Sequence, residues 1–250
     1  YLRYKCGPRL STTLRVPHAE KVPMPAELLT PPPTARPSRR NPEASRRRIL
    51  AAATETFAAL GLDGARVDDI AERAGINKRM LYHYFGNKDD LFGAVLDALY
   101  EQICRESSAL DLETGSPRQA VDRLVEFVID FYLGNPKAIT LLNAENLHLG
   151  RHLKKSELIR SIHLPFEEML DALLARGVKT GDFRKGISGA RLYISIVGLI
   201  YYYLSNSHSL SVFFDRDLLA PKELEDWKAH IHEMVTRFVS AEPQGGKKND

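Results

Sequence analysis

A run of polar side chains suited to nucleic-acid contact lies in the segment KRMLYHYF, residues 78–85. In a helix, a step of about 100° per residue places four of them on one side: Lys78, Arg79, Tyr82 and His83. The less polar residues fall on the opposite side: Met80, Leu81, Tyr84 and Phe85. The second face can be buried while the first enters a groove, where an arginine can pair with guanine O6 and N7.

The residues before this segment predict how it is held. Apolar side chains at Ile70, Ala71 and Ala74 keep helical spacing. Gly75 then interrupts the helix, because glycine adopts a positive φ most easily. Asn77 can cap the helix that follows. The sequence therefore predicts a helix, a tight turn and a second, exposed helix.

A further helix is predicted directly after the exposed one. Asn87, followed three residues later by Asp90, is a capping-box pattern. The unpaired N–H groups and the positive dipole end of such a helix suit a phosphate, and Lys88 lies beside them. We therefore expect Lys88, like Lys78, to contact phosphate rather than a base.

The motifs of residues 46–96 follow a fixed order: Ile-Leu-x-Ala-Ala, Phe-x-x-x-Gly, Asp-Asp-Ile-Ala-x-x-Ala-Gly, Leu-Tyr-x-Tyr-Phe and Asn-Lys-x-x-Leu. In this order they resemble the N-terminal DNA-binding domain of the TetR family of transcriptional regulators. A bare helix-turn-helix is a weak signal, but the ordered set is specific. The resemblance implies that eight residues contact DNA: Arg46, Arg66, Asn77, Lys78, Arg79, Tyr82, His83 and Lys88.

Arg66 departs from the family pattern, in which Thr or Ser often stands at the start of the first helix of the motif. A hydroxyl cap is lost here, and a cation lies near the expected path of the DNA backbone instead. Whether Arg66 contacts a phosphate, a base or neither stays open.

Positive charge is concentrated near the start of the chain. The 250 residues carry a net charge of only +3, so attraction to nucleic acid must come from local placement. Residues 36–48 hold six arginines against the single acid Glu43. This basic arm can lie along phosphates or in the minor groove, or it can be a solvated leader. Residues 1–40 are rich in proline and are expected to be disordered. Met24 could be the native start, in which case residues 1–23 would not belong to the native protein.

The composition excludes several other classes of protein. Cys6 and Cys104 cannot form a disulfide framework. No run reaches the ~18 apolar residues of a membrane span, and the start lacks the features of a signal peptide. No phosphate loop, nucleophile elbow or zinc-deaminase pattern is present. We expect a cytoplasmic protein that is not an enzyme, has no catalytic residues and does not bind membranes.

Helical spacing continues to the end of the chain without strand alternation, so the fold is predicted to be all-α. Beyond the motif, helices are expected at residues 42–60, 88–106, 117–134, 137–153, 158–176, 188–207 and 221–239. Pro165 should delay or kink one of them, and Gly177 and Gly181 should form a loop from which Phe183 enters the core. Residues 41–88 would be a three-helix DNA-binding domain, 89–240 a helical ligand-binding and dimerisation domain, and 241–250 a disordered tail.

The helix expected at residues 188–207 is apolar on nearly every side, and one thin helical layer cannot cover it. In the family resembled, the last two long helices form a four-helix bundle with their twofold mates. Both arguments predict a homodimer. Its two DNA-binding domains would lie one DNA turn apart, roughly 34–36 Å, on a pseudo-palindromic operator of double-stranded DNA.

The middle helices carry polar residues in an apolar frame, where the family commonly holds a small-molecule pocket. The residues predicted to line it are Phe127, Phe131, Tyr132, Asn143, Asn146 and Tyr201. Asn143 and Asn146 share a helical face and can both hydrogen-bond a polar ligand. The alternative assigns the aromatic residues to the core and the polar residues to the surface or to helix caps.

His148 and His152 are four residues apart, as a metal-binding pair on one helix would be, and Glu145 precedes them. Basic residues flank the pair, so a surface or a pocket edge is the favoured interpretation. No metal and no other cofactor is predicted.

The sequence thus predicts a ligand-responsive regulator of TetR type, a repressor that a small-molecule effector releases from its operator. The alternative is a DNA-bound interaction protein that a protein partner controls. A closed, ligand-sized cavity reached by Tyr132, Asn143 or Asn146 favours the first function, whereas a solidly packed body favours the second.

Overall fold

The computed structural model describes residues 42–241. These residues form ten α-helices and one short 3₁₀ helix, with no β-strand among them, which confirms the all-α prediction. The predicted leader and most of the basic arm, residues 1–41, lie outside the described residues, as do residues 242–250 of the tail. No helix between residues 42 and 241 is both long and apolar enough to cross a bilayer.

The helices are α1 (Pro42–Gly64), α2 (Val67–Arg73), α3 (Lys78–Phe85), α4 (Lys88–Ser107), α5 (Pro117–Gly134), α6 (Pro136–Leu147), α7 (Glu157–Thr180), α8 (Gly189–Ser205), α9 (Ser207–Phe214) and α10 (Pro221–Val239). The 3₁₀ helix, Leu153–Lys155, lies between α6 and α7. Helices α1 to α3 are named the reader and α5 to α10 the body. Helix α4 joins the two.

A small apolar core holds the reader together. Side chains from its three helices and from α4 are completely buried there: Ile49, Phe57, Ile70, Leu81 and Leu91. Leu141 and Ala144 of α6 complete the same core. The body therefore packs directly on the reader, and α6 is the helix that does so.

The body is a bundle in which α5 packs against α7, α8 and α10. Helix α5 begins with a capping box, because Ser116 Oγ accepts from the Gln119 N–H and the Gln119 side chain accepts from the Ser116 N–H. Its predicted apolar stripe is buried, including Val121, Leu124 and Val128. The sequence pattern and the packing agree for this helix.

Gly177 was expected to form a turn, but this prediction is wrong. Helix α7 continues to Thr180, and the left-handed Gly181, with φ of 80°, ends it. Phe183 is buried as predicted, and its ring lies so close to Gly177 that a Cβ there would be 1.9 Å from Cδ2. Gly177 is therefore required for close approach within a helix.

Several other boundaries differ from the sequence prediction, and α6 ends at Leu147 rather than at residue 153. Helix α7 begins at Glu157 and includes Pro165, because Ser156 Oγ accepts from the Ile159 N–H and starts the helix early. Helix α8 ends at Ser205, where the backbone N–H and the side-chain amide of Asn206 both donate to the Tyr202 carbonyl, and α9 follows. Only Asn206 separates α8 from α9, and the eight residues of α9 are too few for their apolar spacing to predict a separate helix.

Candidate functional site

Helix α3 presents a polar face to solvent. Its exposed residues are Lys78, Arg79, Tyr82 and His83. Leu81 and Phe85 on the opposite side are buried in the reader core. The exposed face is the one that a helix-turn-helix protein inserts into the major groove.

The turn before α3 fixes its direction. Gly75 has φ of 64°; its N–H bonds to the Glu72 carbonyl, and the N–H of Ile76 bonds to the Ala71 carbonyl. This pair of bonds is a Schellman motif, which glycine completes without steric strain. The Asn77 side chain then accepts a hydrogen bond of 2.8 Å from the first turn of α3. Both ends of the turn are thus satisfied, and α3 starts at a defined angle.

Lys78 forms an ion pair within the reader. Its ammonium lies 3.0 Å from the Asp68 carboxylate of α2, and both side chains remain about half exposed. The hydrogen bond to Asp68 is the main reason why the pKa of Lys78 is raised. Lys78 is therefore charged at physiological pH, and a phosphate would have to share it with Asp68 or displace that carboxylate.

Lys88 ties the start of α4 to the end of α1. Its Nζ donates to the carbonyls of Asp63 and Ala65, at 3.4 and 3.3 Å. The Asn87 side chain accepts from the Asp90 N–H at 2.9 Å and caps α4, as the sequence predicts. These bonds hold Lys88 at the N-terminus of α4.

Arg46 and Arg66 have different surroundings. The Arg46 guanidinium lies 4.8 Å from the centroid of the Phe85 ring, a cation–π distance that ties α1 to α3. Arg66 is the exposed N-cap residue of α2 and makes no capping hydrogen bond. The hydroxyl cap is therefore absent at this position, in agreement with the sequence.

Five of the six residues predicted to line a ligand pocket form one continuous group, the aromatic cluster. Its rings follow one another with centroids 5.5 to 6.1 Å apart, in the order Phe127, Phe131, Tyr132 and Tyr201. The Tyr201 hydroxyl donates to Asn143 Oδ1 at 2.5 Å and also contacts the Ile139 carbonyl. Asn146 lies apart, because it is exposed and its amide donates to a carbonyl within α6.

Two tyrosines that the sequence analysis missed belong to the same cluster. Tyr100 of α4 and Tyr193 of α8 lie close enough to Tyr132 for their charges to interact. Burial raises the pKa of Tyr193 and Tyr201 to about 12. It also raises the pKa of Tyr100 and that of Tyr132. All four phenols are neutral at physiological pH and can donate hydrogen bonds.

A cleft of about 420 Å³ opens between the reader and the body rather than within the aromatic cluster. Val95, Leu99 and Ala138 line its apolar side, and Gln102 and Asn135 join across it by a hydrogen bond of 3.1 Å. None of the six predicted ligand residues lines this cleft. A ligand in the aromatic cluster would have to separate rings that are in contact.

Glu145, His148 and His152 do not converge on one point. Glu145 and His152 form a buried pair, with 2.5 Å between Oε2 and Nδ1. His148 lies 3.7 Å from the Asp63 carboxylate of α1, and its ring centroid is 6.2 Å from that of His152. In the part of the chain that the structure describes, no three histidine, cysteine or acidic side chains are placed to hold a metal ion.

Two protein-family models match the chain. Residues 49–95 match the model of bacterial regulatory proteins of the tetR family, and residues 117–235 match the tetracyclin repressor-like C-terminal domain. The HTH-type transcriptional repressor NicS of Pseudomonas putida is 36% identical over 193 residues, which cover 77% of this chain and 91% of the relative.

Solved structures share the fold at lower sequence identity. A TetR transcriptional regulator from Chloroflexus aurantiacus is 17% identical with a TM-score of 0.61, over 81% of this chain and 100% of that one. Bacillus subtilis FadR, solved in complex with stearoyl-CoA, is 20% identical with a TM-score of 0.56, over 77% and 98%. The exposed, capped α3, the all-α body and the two family matches together establish that the chain belongs to the TetR family of bacterial transcriptional regulators.

Proposed function

We propose that the chain is a cytoplasmic, ligand-responsive repressor. As a homodimer it binds a pseudo-palindromic operator, and a small-molecule effector that enters the body releases it. The observation that carries this proposal is the exposed basic and aromatic face of α3, held by a capped turn. The repressor name of the relative NicS supports the direction of regulation.

The roles on DNA follow from side-chain chemistry and surroundings. Arg79 is exposed and suits the O6 and N7 atoms of guanine, and Tyr82 and His83 flank it on the same face. The remaining residues of the set suit phosphates or backbone positioning: Arg46, Arg66, Asn77, Lys78 and Lys88. Binding should weaken strongly with salt, because phosphate contacts release counterions.

We propose that the dimer contact lies on α8 and α10. Helix α8 exposes a stripe at spacings of three and four residues: Ile194, Ser195, Gly198 and Tyr202. Helix α10 exposes Met234 and Phe238. Small residues in such a stripe let a second helix approach closely, and the large ones supply apolar area.

We propose that the effector binds at the aromatic cluster. An effector that accepts a hydrogen bond from Tyr201 would compete with Asn143, and so would loosen the contact between α8 and α6. Because α6 packs on the reader, this change can shift the dimer to a state with the readers wrongly spaced. Neutral phenols and an amide suit a small polar aromatic molecule or organic acid. The acyl-CoA bound to FadR supports a ligand site in a body of this fold.

The close packing of the aromatic rings favours a second function. In this alternative the chain stays on DNA and a protein partner controls it, without a small-molecule effector. The two functions differ in what removes the chain from the operator.

A gel-shift experiment tests both functions. The probe is the promoter region next to the chain's own coding sequence, and candidate metabolites are added one at a time. We expect a salt-sensitive shift that one compound abolishes and its analogues do not. A flat salt response argues against the DNA-binding residues, and a shift that no compound affects supports control by a protein partner.

A further inference from the structure

The segment from Glu145 to Ser156, named the connecting turn, leads from α6 to α7 and packs against α1 and α4. Four side-chain pairs connect it to α1 and α4, namely His148 with Asp63, Arg151 with Asp89, His152 with Phe92, and Ser156 with Asp97, and Leu153 also packs on the reader core. Phe92 also packs edge-on against Phe57 of α1, with ring centroids 5.1 Å apart. These contacts provide a route by which a movement of the connecting turn would reach α1 and α4, the helices that hold α3.

Glu145 holds the connecting turn in shape from inside. Its side chain is buried, and Oε1 accepts from the backbone N–H groups of His152 and Leu153 at 2.8 and 3.0 Å. Oε2 lies 2.5 Å from His152 Nδ1. A buried carboxylate is stable only with such partners. One side chain thus fixes both the backbone of the turn and the ring that contacts Phe92.

The backbone of the connecting turn needs this support. Leu149 and Gly150 have φ of 58° and 69°. The left-handed region is unfavourable for leucine. The side chains of Leu147 and Leu149 are 83% and 80% exposed, so apolar burial does not offset that cost. Backbone bonds from the N–H groups of Leu149 and Gly150 to the carbonyls of Asn146 and Glu145 close the first part of the turn, and the Glu145 carboxylate holds the part that follows.

The same carboxylate lies next to the aromatic cluster. Tyr100 is close enough to Glu145 for the carboxylate to add to the effect of burial on its pKa. Asn143, which accepts from Tyr201, precedes Glu145 by two residues on α6. Glu145 therefore lies between the proposed effector site and the contacts with the reader.

We propose that Glu145 is a positioning residue for DNA recognition, which acts through His152 to fix the angle of the reader on the body. A fixed angle in each chain would hold the two readers of a dimer at one distance from each other. This inference rests on the proposed function, because half-site spacing has a meaning only for a dimer on a paired site. Glu145 itself does not contact DNA. Its removal should loosen the reader, which has its own core, without unfolding it.

The first experiment measures the angle of the reader without DNA. Spin labels are attached to Ala59→Cys in the reader and Glu168→Cys in the body, in a full-length chain with Cys6→Ser and Cys104→Ser. Labelled chains are diluted with unlabelled chains, so that the measured distances lie within one chain. We expect a narrow distance distribution in this background and a broad one after Glu145→Ala.

Two further variants keep this experiment decisive. Glu145→Gln keeps the size of the side chain but not its charge, and serves if Glu145→Ala fails to fold by circular dichroism. Glu157→Gln is the matched control, because that carboxylate is exposed at the start of α7. An unchanged, narrow distribution in the folded Glu145 variants would overturn the proposal, and so would equal broadening in Glu157→Gln.

The second experiment measures half-site spacing. An operator is selected with the wild-type chain from a library of random duplexes, and its spacer is then changed by one base pair in either direction. The Glu145 variants should bind the selected operator about tenfold more weakly. They should also lose most of the discrimination against the altered spacers, which mere destabilisation would leave unchanged. If the Glu145 variants discriminate against the altered spacers as strongly as the wild-type chain does, the inference is wrong. If the wild-type chain selects no paired half-sites, the proposed function fails, while the distance measurement still tests the role of Glu145.

Discussion

The hydroxyl of Tyr201 on α8 lies 2.5 Å from the amide oxygen of Asn143 on α6. Helix α8 carries the exposed stripe proposed for the dimer contact, and α6 contributes Leu141 and Ala144 to the reader core. The body therefore has a short physical connection from its outer surface to the reader. This connection passes through the aromatic cluster.

Replacement of Tyr201 by Phe tests this connection. The ring and its packing against Tyr132 remain, but the hydrogen bond to Asn143 is lost. The free energy of unfolding should fall by about 0.5–1.5 kcal/mol in urea denaturation. Tyr84→Phe is the control, because Tyr84 lies in the reader, away from the proposed dimer contact, and its hydroxyl has no hydrogen-bond partner in residues 42–241. Equal stability of Tyr201→Phe and the wild type would show that the bond contributes nothing.

Tyr82→Ala and Lys88→Ala should impair operator binding and leave the dimer intact. Tyr82 belongs to the exposed face of α3, and its loss should weaken binding by about 1–3 kcal/mol. Loss of Lys88 should weaken binding to all sequences alike and reduce the salt slope by about 1. Fluorescence anisotropy at several salt concentrations measures both, with Lys179→Ala at the exposed end of α7 as the control. Normal affinity in both variants would mean that another face binds DNA.

The buried tyrosines predict a loss of stability at high pH. Tyr193 and Tyr201 have pKa values of about 12 in the folded chain, against an ordinary value of 10.0. The unfolded chain loses these protons first, so the contribution of the two tyrosines to the free energy of unfolding should be constant below pH 10 and fall as the pH rises from 10 to 12. Urea denaturation at pH 9 and pH 11 measures the fall. The double variant Tyr193→Phe, Tyr201→Phe should show a smaller one, and an identical fall in both chains would contradict the assignment.

Gly177→Ala should destabilise the body, although alanine is the better helix former by about 1 kcal/mol. The added Cβ would collide with the Phe183 ring, which cannot move without leaving the core. We expect a loss of about 1–3 kcal/mol, as for other overpacked sites, in the same denaturation experiment. Gly134→Ala is the control, because nothing lies within 4 Å of a Cβ at that position. A Gly177→Ala variant as stable as this control would be inconsistent with the close contact.

The reader could be predicted from sequence because its signals are local. Capping by Asn77, the left-handed Gly75 and the burial of Leu81 each depend on residues within a few positions of one another. The all-α fold follows from the same periodicity. These features do not require knowledge of which helices touch.

The missed features depend on contacts between distant parts of the chain. Gly177 has the composition of a turn, and only the approach of the Phe183 ring explains it within a helix. Tyr193 lies in a helix that is apolar on nearly every side, so the sequence pattern does not distinguish it from its neighbours or predict that it joins the aromatic cluster. His148 and His152 match a metal-binding spacing, but the turn after α6 brings His152 into a pair with Glu145 instead.

The ion pair between Asp68 and Lys78 has a consequence for how the chain would search DNA. A phosphate that approaches Lys78 meets an ammonium whose charge is partly neutralised by its own protein. If Lys78 contacts phosphate as proposed, a duplex that offers only phosphates would gain less from this lysine than a cognate site, where base contacts on the rest of α3 would accompany the exchange of partners. The carboxylate would then lower retention on random genomic sequence more than retention at the operator.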